Sequence, residues 1–313
     1  MQLPKISIIV PIYNAEKIIP ITIPKILLQN YPKFLKEIII IDDGSIDNSQ
    51  KVLSSLDGID DCIIIKHLEN KGRAHARNSG ISKATGKILL FLDCDMEINN
   101  DFIFQHAILH KKKDVIGVHS KILPPQTIKL NKFQRYLYSN KRGVQKINEN
   151  KPLPFNYFII GCTSIKKNAI KKSGVFNTDL PCYGEDLDFA YKLYKKFPYG
   201  LRYSSKPIAY HHHNRSLEET IKLLKEYGQY NVPIILKEYP ELAPYMAADF
   251  VKSINGKLTW KIFIGSVLIN RLFFLLARAI FNFTPFPLSN YLIRYLLATS
   301  TAMGYRKHLN RIN

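Results

Sequence analysis

Two stretches, IIIIDDG (residues 38–44) and ILLFLDCD (residues 88–95), decide the fold predicted for this chain. Each is an uninterrupted apolar run that ends directly in acidic residues. Short continuous apolar runs predict strands that are buried on both faces, as in a parallel sheet. Residues 6–10 (ISIIV), ended by Pro11, and residues 62–67 predict two further strands of this kind.

Helical patterns separate these strands. Residues 45–56, 74–84 and 185–196 predict helices, and helix-rich sequence follows residue 217. Strands that alternate with helices predict an α/β fold with a doubly wound parallel sheet, whose ligands bind at the carboxyl ends of the strands. Residues 124–154 are rich in Lys and Asn and predict a variable segment near the acceptor side. We therefore predict an α/β domain over residues 1–216 and a helical C-terminal region over residues 217–313.

The composition describes a folded and strongly basic protein. Hydrophobic residues make up 46% of the 313 residues, which excludes a disordered chain. Lys and Arg number 45 against 25 Asp and Glu, a formal charge of +20, which indicates either a polyanionic partner or a solvated Lys-rich surface. The sequence begins without the pattern of a secretory signal, so we expect a cytoplasmic protein.

The cysteines point to the same compartment. They stand at positions 62, 94, 162 and 182, without a CxxC pair, and therefore predict neither a zinc site nor a disulfide framework. A reducing cytoplasm is the simplest compartment for such a chain.

Three acidic clusters occupy the positions where this fold would expose them. Asp42 and Asp43 follow the second strand, Asp93 and Asp95 follow the fourth, and Glu185-Asp186 opens a later helix. Any one cluster has a simpler interpretation, since Asp is common in turns and acidic residues are favoured in the first turn of a helix. Three clusters in this order favour a catalytic interpretation.

With these clusters the chain resembles the family 2 inverting glycosyltransferases of GT-A fold, over about residues 6–210. The motifs that carry the resemblance are VPIYN (10–14), IDDGS (41–45), NKGRAHARNSG (70–80), FLDCD (91–95) and GEDLDF (184–189). The resemblance implies a Rossmann-like nucleotide-diphospho-sugar transferase domain. It also implies transfer of one sugar at a time, because the Gln-x-x-Arg-Trp signature of processive synthases is missing and Trp260 is the only tryptophan.

The resemblance also implies a role for each matching residue. The donor is a nucleotide-diphospho-sugar, and the cofactor is a divalent metal, Mn²⁺ or Mg²⁺, because a hard cation held by carboxylates suits a diphosphate leaving group. Asp95 is the expected metal ligand, and Asp93 assists it and positions the ribose or donor sugar. Asp186 is the expected base that takes the acceptor proton, with Glu185 as its supporting neighbour.

The nucleotide is expected to contact residues from three motifs. The expected pocket residues are Pro11, Tyr13, Asn14, Glu16, Asp42 and Asp43, with Asp43 on the base and Asp42 beside it. Arg73 and Arg77 are expected to offset the charge of the diphosphate. The run His211-His212-His213 is either a further metal or diphosphate ligand or a solvated run, and we choose His212 as the ligand.

The C-terminal region has the pattern of an interfacial helix. Residues 258–282 are apolar, but Lys261, Arg271, Arg278 and Asn282 interrupt them within about one third of the helix circumference. Residues 291–303 form a second apolar segment, followed by a basic tail that suits anionic headgroups. We expect attachment to an anionic membrane at the inner face of the cell membrane, beside a glycan or lipid-linked acceptor. A buried helical subdomain, a dimer face and two tilted membrane helices are the alternatives.

Two other functions are compatible with parts of the sequence. One is a catalytically silent protein that only binds a nucleotide sugar, although the retained acidic clusters speak against it. The other is a charge-driven nucleic-acid-binding protein. Because the sequence contains no helix-turn-helix, zinc-finger or RNP pattern, we expect no nucleic-acid partner.

Overall fold

The structure is a computed structural model that describes residues 2–139, 142–149, 151–181, 183–212, 215–253 and 259–312. Two residues considered above, Cys182 and His213, lie outside the described residues. The chain forms two compact units. Unit 1 comprises Met1–Ile128, Asn140–Thr178 and Glu185–His213, and unit 2 comprises Lys129–Ser139, Asp179–Gly184 and Asn214–Asn313.

Unit 1 is built on a mixed sheet. Its strands are β1 Ile6–Ile12, β2 Lys36–Asp42, β3 Ile63–Lys66, β4 Ile88–Leu92, β5 Met96–Ile98, β6 Gly117–Leu123, β7 Cys162–Lys166 and β8 Leu201–His211. They are arranged in the order β3-β2-β1-β4-β7-β6-β8-β5. The four predicted strands are β1 to β4, and they pair in parallel as expected.

The other half of the sheet departs from the predicted parallel arrangement. β7 runs antiparallel to both β4 and β6, and β5 runs antiparallel to β8, whereas β6 and β8 are parallel. The doubly wound parallel sheet is therefore correct for β1 to β4 only. The sequence of β7, CTSIK, buries two hydroxyl side chains among apolar ones. Such a mixed pattern indicates neither a buried strand nor its direction.

Helices flank the strands in unit 1 and make up most of unit 2. Those of unit 1 are α1 Ile19–Leu27, α2 Ser49–Ser54, α3 Arg73–Lys83, α4 Phe102–Leu109, α6 Lys167–Ser173 and α7 Glu185–Lys196. Those of unit 2 are α5 Lys132–Leu137, α8 Leu217–Glu238, α9 Trp260–Leu268, α10 Arg271–Phe283 and α11 Ser289–Ile312. The α/β fold with a helical C-terminal region is confirmed.

A glycine lets the helix of the NKGRAHARNSG motif lie directly on the sheet. A Cβ at Gly80 in α3 would come within 2.5 Å of the Cγ2 atom of Ile9 in β1. Any larger residue would push α3 away from the strand, because a contact this short requires the backbone to move. The close approach of α3 matters because the residues at its N-terminal end belong to the candidate site.

In unit 2, α8 and α11 pack closely at two glycines. A Cβ at Gly228 would come within 2.0 Å of the Thr301 carbonyl oxygen, and one at Gly304 within 2.1 Å of the Lys225 carbonyl oxygen. The second apolar segment of the sequence lies in α11, where Ile293 is completely buried. For this segment the structure therefore corresponds to the alternative of a buried helical subdomain.

The first apolar segment forms two helices instead of the single interfacial helix expected. α9 and α10 meet at an angle of 67°. Asn270 lies at the break and caps α10, because its side-chain oxygen accepts a hydrogen bond from the backbone N–H of Phe273 at 3.0 Å. In the described part of the chain, no single helix is long and apolar enough to cross a membrane. The bent pair α9–α10 together has the necessary length and hydropathy.

Candidate active site

The predicted acidic clusters meet where the parallel strands end. Asp42 is the last residue of β2 and is paired with Ile12 at the end of β1. Asp93 follows β4, and its backbone N–H donates to the carbonyl of Gly161, just before β7, at 2.9 Å. Glu185 and Asp186 begin α7. Asp93, Glu185 and Asp186 are brought together by one residue of α3, Arg77.

Arg77 is completely buried and holds three carboxylates. Its Nη2 atom donates to Asp93 Oδ1 at 2.8 Å, and its Nη1 atom donates to Asp186 Oδ1 at 2.9 Å and to Glu185 Oε1 at 3.1 Å. The guanidinium also lies 5.4 Å from the centre of the Phe176 ring. A planar cation with several fixed donors suits this task, since it binds several oxygens without changing shape. We call Arg77 and these three acids the carboxylate clamp.

Burial and charge oppose each other within the carboxylate clamp. Burial acts to raise the pKa of Asp93, but the positive charges of Arg77 and Arg73 outweigh it and hold the pKa below its ordinary value. Burial, followed by the negative charge of Asp186, raises the pKa of Glu185 above its ordinary value. Asp93 is therefore held as an anion, and its charge balances that of Arg77.

Glu185 and Asp186 are adjacent in sequence but differ in exposure. Glu185 is buried and also forms an ion pair with Arg73, whose Nη2 atom lies 2.8 Å from Glu185 Oε1. The Asp186 side chain is 24% exposed, and its Oδ2 accepts a hydrogen bond from the backbone N–H of Ile160 at 3.3 Å. Asp186 therefore faces solvent with its carboxylate oriented from two sides, whereas Glu185 is enclosed.

Asp95 lies opposite a histidine, but not the one chosen from the sequence. His211 Nε2 lies 3.2 Å from Asp95 Oδ2, while His212 Nε2 lies 3.0 Å from Glu97 Oε2. The antiparallel pairing of β5 with β8 sets this register by placing His211 opposite Met96. The structure therefore brings the imidazole of His211, and not that of His212, to the Asp95 carboxylate, while the backbone N–H of His212 donates to the Asp95 carbonyl at 2.9 Å.

The loop after β1 is tied to the loop after β2. The backbone N–H of Asn14 donates to Ser45 Oγ at 3.0 Å, and Asn14 Oδ1 accepts from the backbone N–H of Ile46 at 3.0 Å. Glu16 Oε2 accepts from the backbone and side chain of Asn48, both at 3.0 Å. Asn14 and Glu16 thus fix loop geometry, while Tyr13, directly before Asn14, is 44% exposed.

Asp42 and Asp43 have different tasks. Both oxygens of Asp43 accept backbone N–H groups, from Lys71 at 3.1 Å and from Gly72 at 2.8 Å, and Oδ1 also lies 2.6 Å from His67 Nδ1. Asp43 therefore anchors the loop that precedes α3. Asp42 Oδ1 accepts from the Ser45 N–H at 3.0 Å, and its buried Oδ2 has no hydrogen-bond partner among the described residues. Asp42 thus keeps one buried oxygen without a partner in the described part of the chain, whereas both oxygens of Asp43 already accept hydrogen bonds.

Asp95 has the features of a partial metal site. Its Oδ1 atom is covered and has no hydrogen-bond partner in the described part of the chain, and a carboxylate with an imidazole is a donor set that suits Mn²⁺. Among the residues that the structure describes, no cluster of three or more His, Cys, Asp or Glu side chains could enclose a metal ion. The donor set fits a cation that takes its remaining ligands from a diphosphate.

The predicted site residues thus fall into three groups. Asp93, Glu185 and Asp186 are joined in the carboxylate clamp, Asp95 stands next to His211, and the residues after β1 and β2 form a separate pair of loops. Arg77 was expected at a diphosphate, but three carboxylates already occupy its guanidinium. Arg73, whose side chain is 36% exposed, is the member of the pair that reaches solvent.

Sequence reasoning did not identify Gly161 as part of the site. A Cβ at this position would lie 2.2 Å from Asp93 Oδ2, so only glycine leaves room for the Asp93 carboxylate. Gly161 is 68 positions from Asp93 in sequence, and the antiparallel pairing of β4 with β7 brings them together. The local pattern FIIGCTS contains a glycine but nothing that indicates its neighbour.

Comparison with known proteins identifies the family. The model of glycosyl transferase family 2 matches residues 7–174, more than half of the chain, and the chain therefore belongs to this family. A relative, the poly-beta-1,6-N-acetyl-D-glucosamine synthase of Staphylococcus epidermidis, is 29% identical over 212 residues, which are 67% of this chain and 50% of the relative. The chain spans about half the length of the curated relatives it matches.

Solved structures confirm the GT-A fold. TarS 1–349 of S. aureus, solved in complex with UDP-GlcNAc, aligns with a TM-score of 0.57 and 16% identity over 98% of this chain and 91% of TarS 1–349. The mannosyltransferase PcManGT of Pyrobaculum calidifontis, solved in complex with GDP-Man and Mn²⁺, aligns with a TM-score of 0.61 and 17% identity over 97% of this chain and 88% of PcManGT. At these identities the similarity establishes the fold.

Proposed function

We propose that this chain is a metal-dependent, inverting glycosyltransferase. It moves a sugar from a nucleotide-diphosphate donor to an acceptor hydroxyl in the synthesis of a cell-surface glycan or glycolipid. The observation that carries the proposal is the carboxylate clamp, in which one buried arginine holds Asp93 of the donor side and Asp186 of the acceptor side together. Membership of glycosyl transferase family 2 supports the same chemistry.

The donor binds where β1, β2 and β4 end. The base lies against the paired ends of β1 and β2, beside Asp42 and Asp43. Pro11 and Tyr13 contribute from the β1 side, and Asn14 and Glu16 hold the loop in place. Asp93 positions the ribose or donor sugar. Arg73 faces the negative charge that collects on the leaving diphosphate. The UDP-GlcNAc and GDP-Man in the titles of TarS and PcManGT structures support a nucleotide sugar as donor.

Asp95 and His211 would hold the divalent cation, Mn²⁺ or Mg²⁺. When bound, the cation supplies a Lewis acid for the leaving diphosphate. Its remaining ligands come from the donor, which agrees with the small number of protein ligands at this position. The Mn²⁺ in the PcManGT structure supports this choice.

Asp186 is the base of the reaction. It accepts the proton of the acceptor hydroxyl while that oxygen forms a bond with the anomeric carbon of the donor sugar. The bond from the anomeric carbon to the diphosphate breaks, its electron pair leaves with the nucleoside diphosphate, and the configuration inverts. Arg77 and the Ile160 N–H orient the carboxylate for this transfer, and its partial exposure gives the acceptor access.

The chemistry is tested in two steps on the full chain. A thermal-shift screen of nucleotide sugars with Mn²⁺ first selects a donor, because a ligand that binds only the folded state raises its stability. Release of nucleoside diphosphate from that donor is then followed with a panel of sugar and lipid-linked acceptors. A donor that binds but never turns over would favour the silent nucleotide-sugar-binding alternative.

Asp186→Asn then tests the base. We expect transfer to fall by a factor on the order of a hundred or more, with little change in donor affinity, because the amide keeps the shape but does not accept the proton. Asp114→Asn is the matched control, since Asp114 also pairs with an arginine, Arg202 at 2.7 Å, but is not part of the site. Near-normal turnover of Asp186→Asn would remove Asp186 from the role of base.

The acceptor side of the proposal includes a membrane. We place the enzyme at the cytoplasmic face of the cell membrane, bound through its C-terminal region to anionic lipids and close to a glycan or lipid-linked acceptor. Exposed apolar side chains on α9 and α10, such as Phe263 and Leu272, support this placement. Helices of this kind bind in the plane of a membrane interface.

A further inference from the structure

The break between α9 and α10 opens onto a basic pocket. This depression, of about 550 Å³, is lined by Ile269, Asn270, Arg271, Met303, Arg306, Lys307, Asn310 and Arg311. Four of the lining residues are cationic, and none of those that line it is acidic. Two of the cations, Lys307 and Arg311, are four positions apart on α11 and therefore project from the same face of that helix.

The cations of the basic pocket have different structural roles. Arg306 completes α9, since its guanidinium donates to the carbonyl oxygens of Ile269 at 2.5 Å and of Gly265 at 3.2 Å. The salt bridges of the described residues include none to Arg271, Lys307 or Arg311. One basic residue thus builds the pocket, and the other three form no salt bridge with the residues that the structure describes.

The other basic residues of α9 and α10 are already paired. Lys261 lies 2.6 Å from Asp249, and Arg278 lies 2.8 Å from Glu218. Both were expected from the sequence to face anionic lipid. The structure therefore concentrates the available positive charge at the basic pocket and away from the rest of α9 and α10.

An exposed apolar surface borders this pocket along the chain. On α10, Leu272 directly follows Arg271 and is 65% exposed, and Leu276 is 48% exposed. On α9, Trp260 and Phe263 are 67% and 68% exposed. A water-soluble surface rarely carries so many large apolar side chains on two consecutive helices, and a bilayer provides both an anionic headgroup layer and an apolar layer below it.

We propose that the basic pocket binds the phosphate headgroup of an anionic phospholipid in the bilayer, while the exposed apolar side chains of α9 and α10 enter the acyl region beside it. Arg271 and Arg311 suit a phosphate because a guanidinium donates two parallel hydrogen bonds to its oxygens. This inference rests on the proposed membrane placement, and its test is independent of the proposed sugar transfer.

The test compares two triple variants of the full chain by flotation with vesicles. The first, Arg271→Gln with Lys307→Gln and Arg311→Gln, removes the three available cations of the pocket. The second, Lys83→Gln with Lys112→Gln and Lys171→Gln, removes the same charge from exposed positions of unit 1. Thermal unfolding of each variant checks that it folds.

We expect the unchanged chain to float with phosphatidylcholine vesicles that contain about a quarter phosphatidylglycerol, and not with phosphatidylcholine alone. The pocket variant should lose affinity for the mixed vesicles by a factor on the order of a hundred, whereas the control variant should lose less than about fivefold, because it keeps every cation of the basic pocket. Leu272→Ser with Phe263→Ser should weaken flotation without changing its lipid preference.

Several results would overturn the proposal. Equal losses in the two triple variants would mean that net charge alone drives binding. Flotation of the pocket variant at the level of the unchanged chain would exclude the basic pocket as the lipid-binding site. Inorganic phosphate is the soluble probe. If phosphate stabilises the unchanged chain but not the pocket variant, and vesicles bind neither, the ligand is a soluble phosphate and not a lipid. A chain that never floats but still transfers sugar would refute the membrane placement and leave the proposed transfer intact.

Discussion

Replacement of Arg77 by Gln should destabilise unit 1 strongly. The substitution removes the only cation that contacts all three acids of the carboxylate clamp in the described structure, and Glu185 remains buried with only Arg73 as a charged partner. Removal of one partner from a buried ion pair typically costs about 3–5 kcal/mol, because the remaining charge is left uncompensated. We therefore expect the free energy of unfolding to fall by about 3 kcal/mol or more at pH 7.

A matched control comes from an exposed pair in the same unit. Lys33 Nζ lies 2.8 Å from Asp61 Oδ2, and both side chains are more than half exposed. Exposed pairs contribute about 0–1 kcal/mol, so Lys33→Gln should cost no more than that. Urea unfolding of both variants at neutral pH measures the difference, and unchanged urea dependence of the unfolding free energy would show that the unfolded states are comparable.

The pH dependence of the Arg77→Gln defect gives a second readout. In the unchanged chain the pKa of Asp93 is held below its ordinary value, so its contribution to stability is complete above the unfolded pKa and is lost as the pH falls through the folded pKa. The variant lacks this contribution. The difference in the free energy of unfolding between the two proteins should therefore be largest near pH 7 and should decrease below about pH 4. A loss of unfolding free energy below about 1 kcal/mol, or a difference between the two proteins that does not depend on pH, would refute the stabilising role assigned to the carboxylate clamp.

Three further predictions concern other parts of unit 1. Burial holds the pKa of His110 at about 3 and that of His119 at about 4, so the unfolded chain binds protons first as the pH falls below about 6.5. Stability should therefore fall by about 1.4 kcal/mol per histidine for each pH unit between about 6.5 and the folded pKa of that histidine, as acid unfolding of the unchanged chain and of His119→Phe would show. Asp95→Ala should abolish the dependence of donor affinity on Mn²⁺ while thermal unfolding is preserved, and calorimetry that finds the dependence unchanged would exclude Asp95 from the metal site. Gly161→Ala should displace Asp93 and lower donor affinity by about tenfold or more, and normal affinity would show that Asp93 does not contact the donor.

The parts of the fold that were predictable are those with a strong local pattern. The apolar runs of β1, β2 and β4 are sufficient to predict buried strands. Residues 185–196 have an acidic first turn and a basic last turn, which predict the helix α7. β7 was not predictable as a strand, nor was its direction, because its hydroxyl residues find partners only in the folded sheet. The Oγ atom of Ser164, for example, lies 2.7 Å from Nδ1 of His106 in α4, 58 positions away in sequence.

The candidate site shows the same division. Which acids belong to the site follows from their positions after strands, but their partners depend on distant residues. The sequence does not indicate that Arg77 is buried and paired with carboxylates. The position of His211 opposite Asp95 depends on a strand pairing that the hydrophobic periodicity does not predict. Gly161 carries no local signal, since its importance comes from the carboxylate above it.

The carboxylate clamp affects which parts of such a protein can change during evolution. Arg77 is 16 positions from Asp93 and 109 positions from Asp186, so the ion pairs of the clamp join residues that are distant in sequence. Loop length has only a weak effect on the entropy of closure. We expect insertions, deletions and exchanges in the variable segment of residues 124–154 to be tolerated as long as the arginine, its acids and Gly161 remain, so that new acceptor specificities can arise in this segment on an unaltered reaction centre.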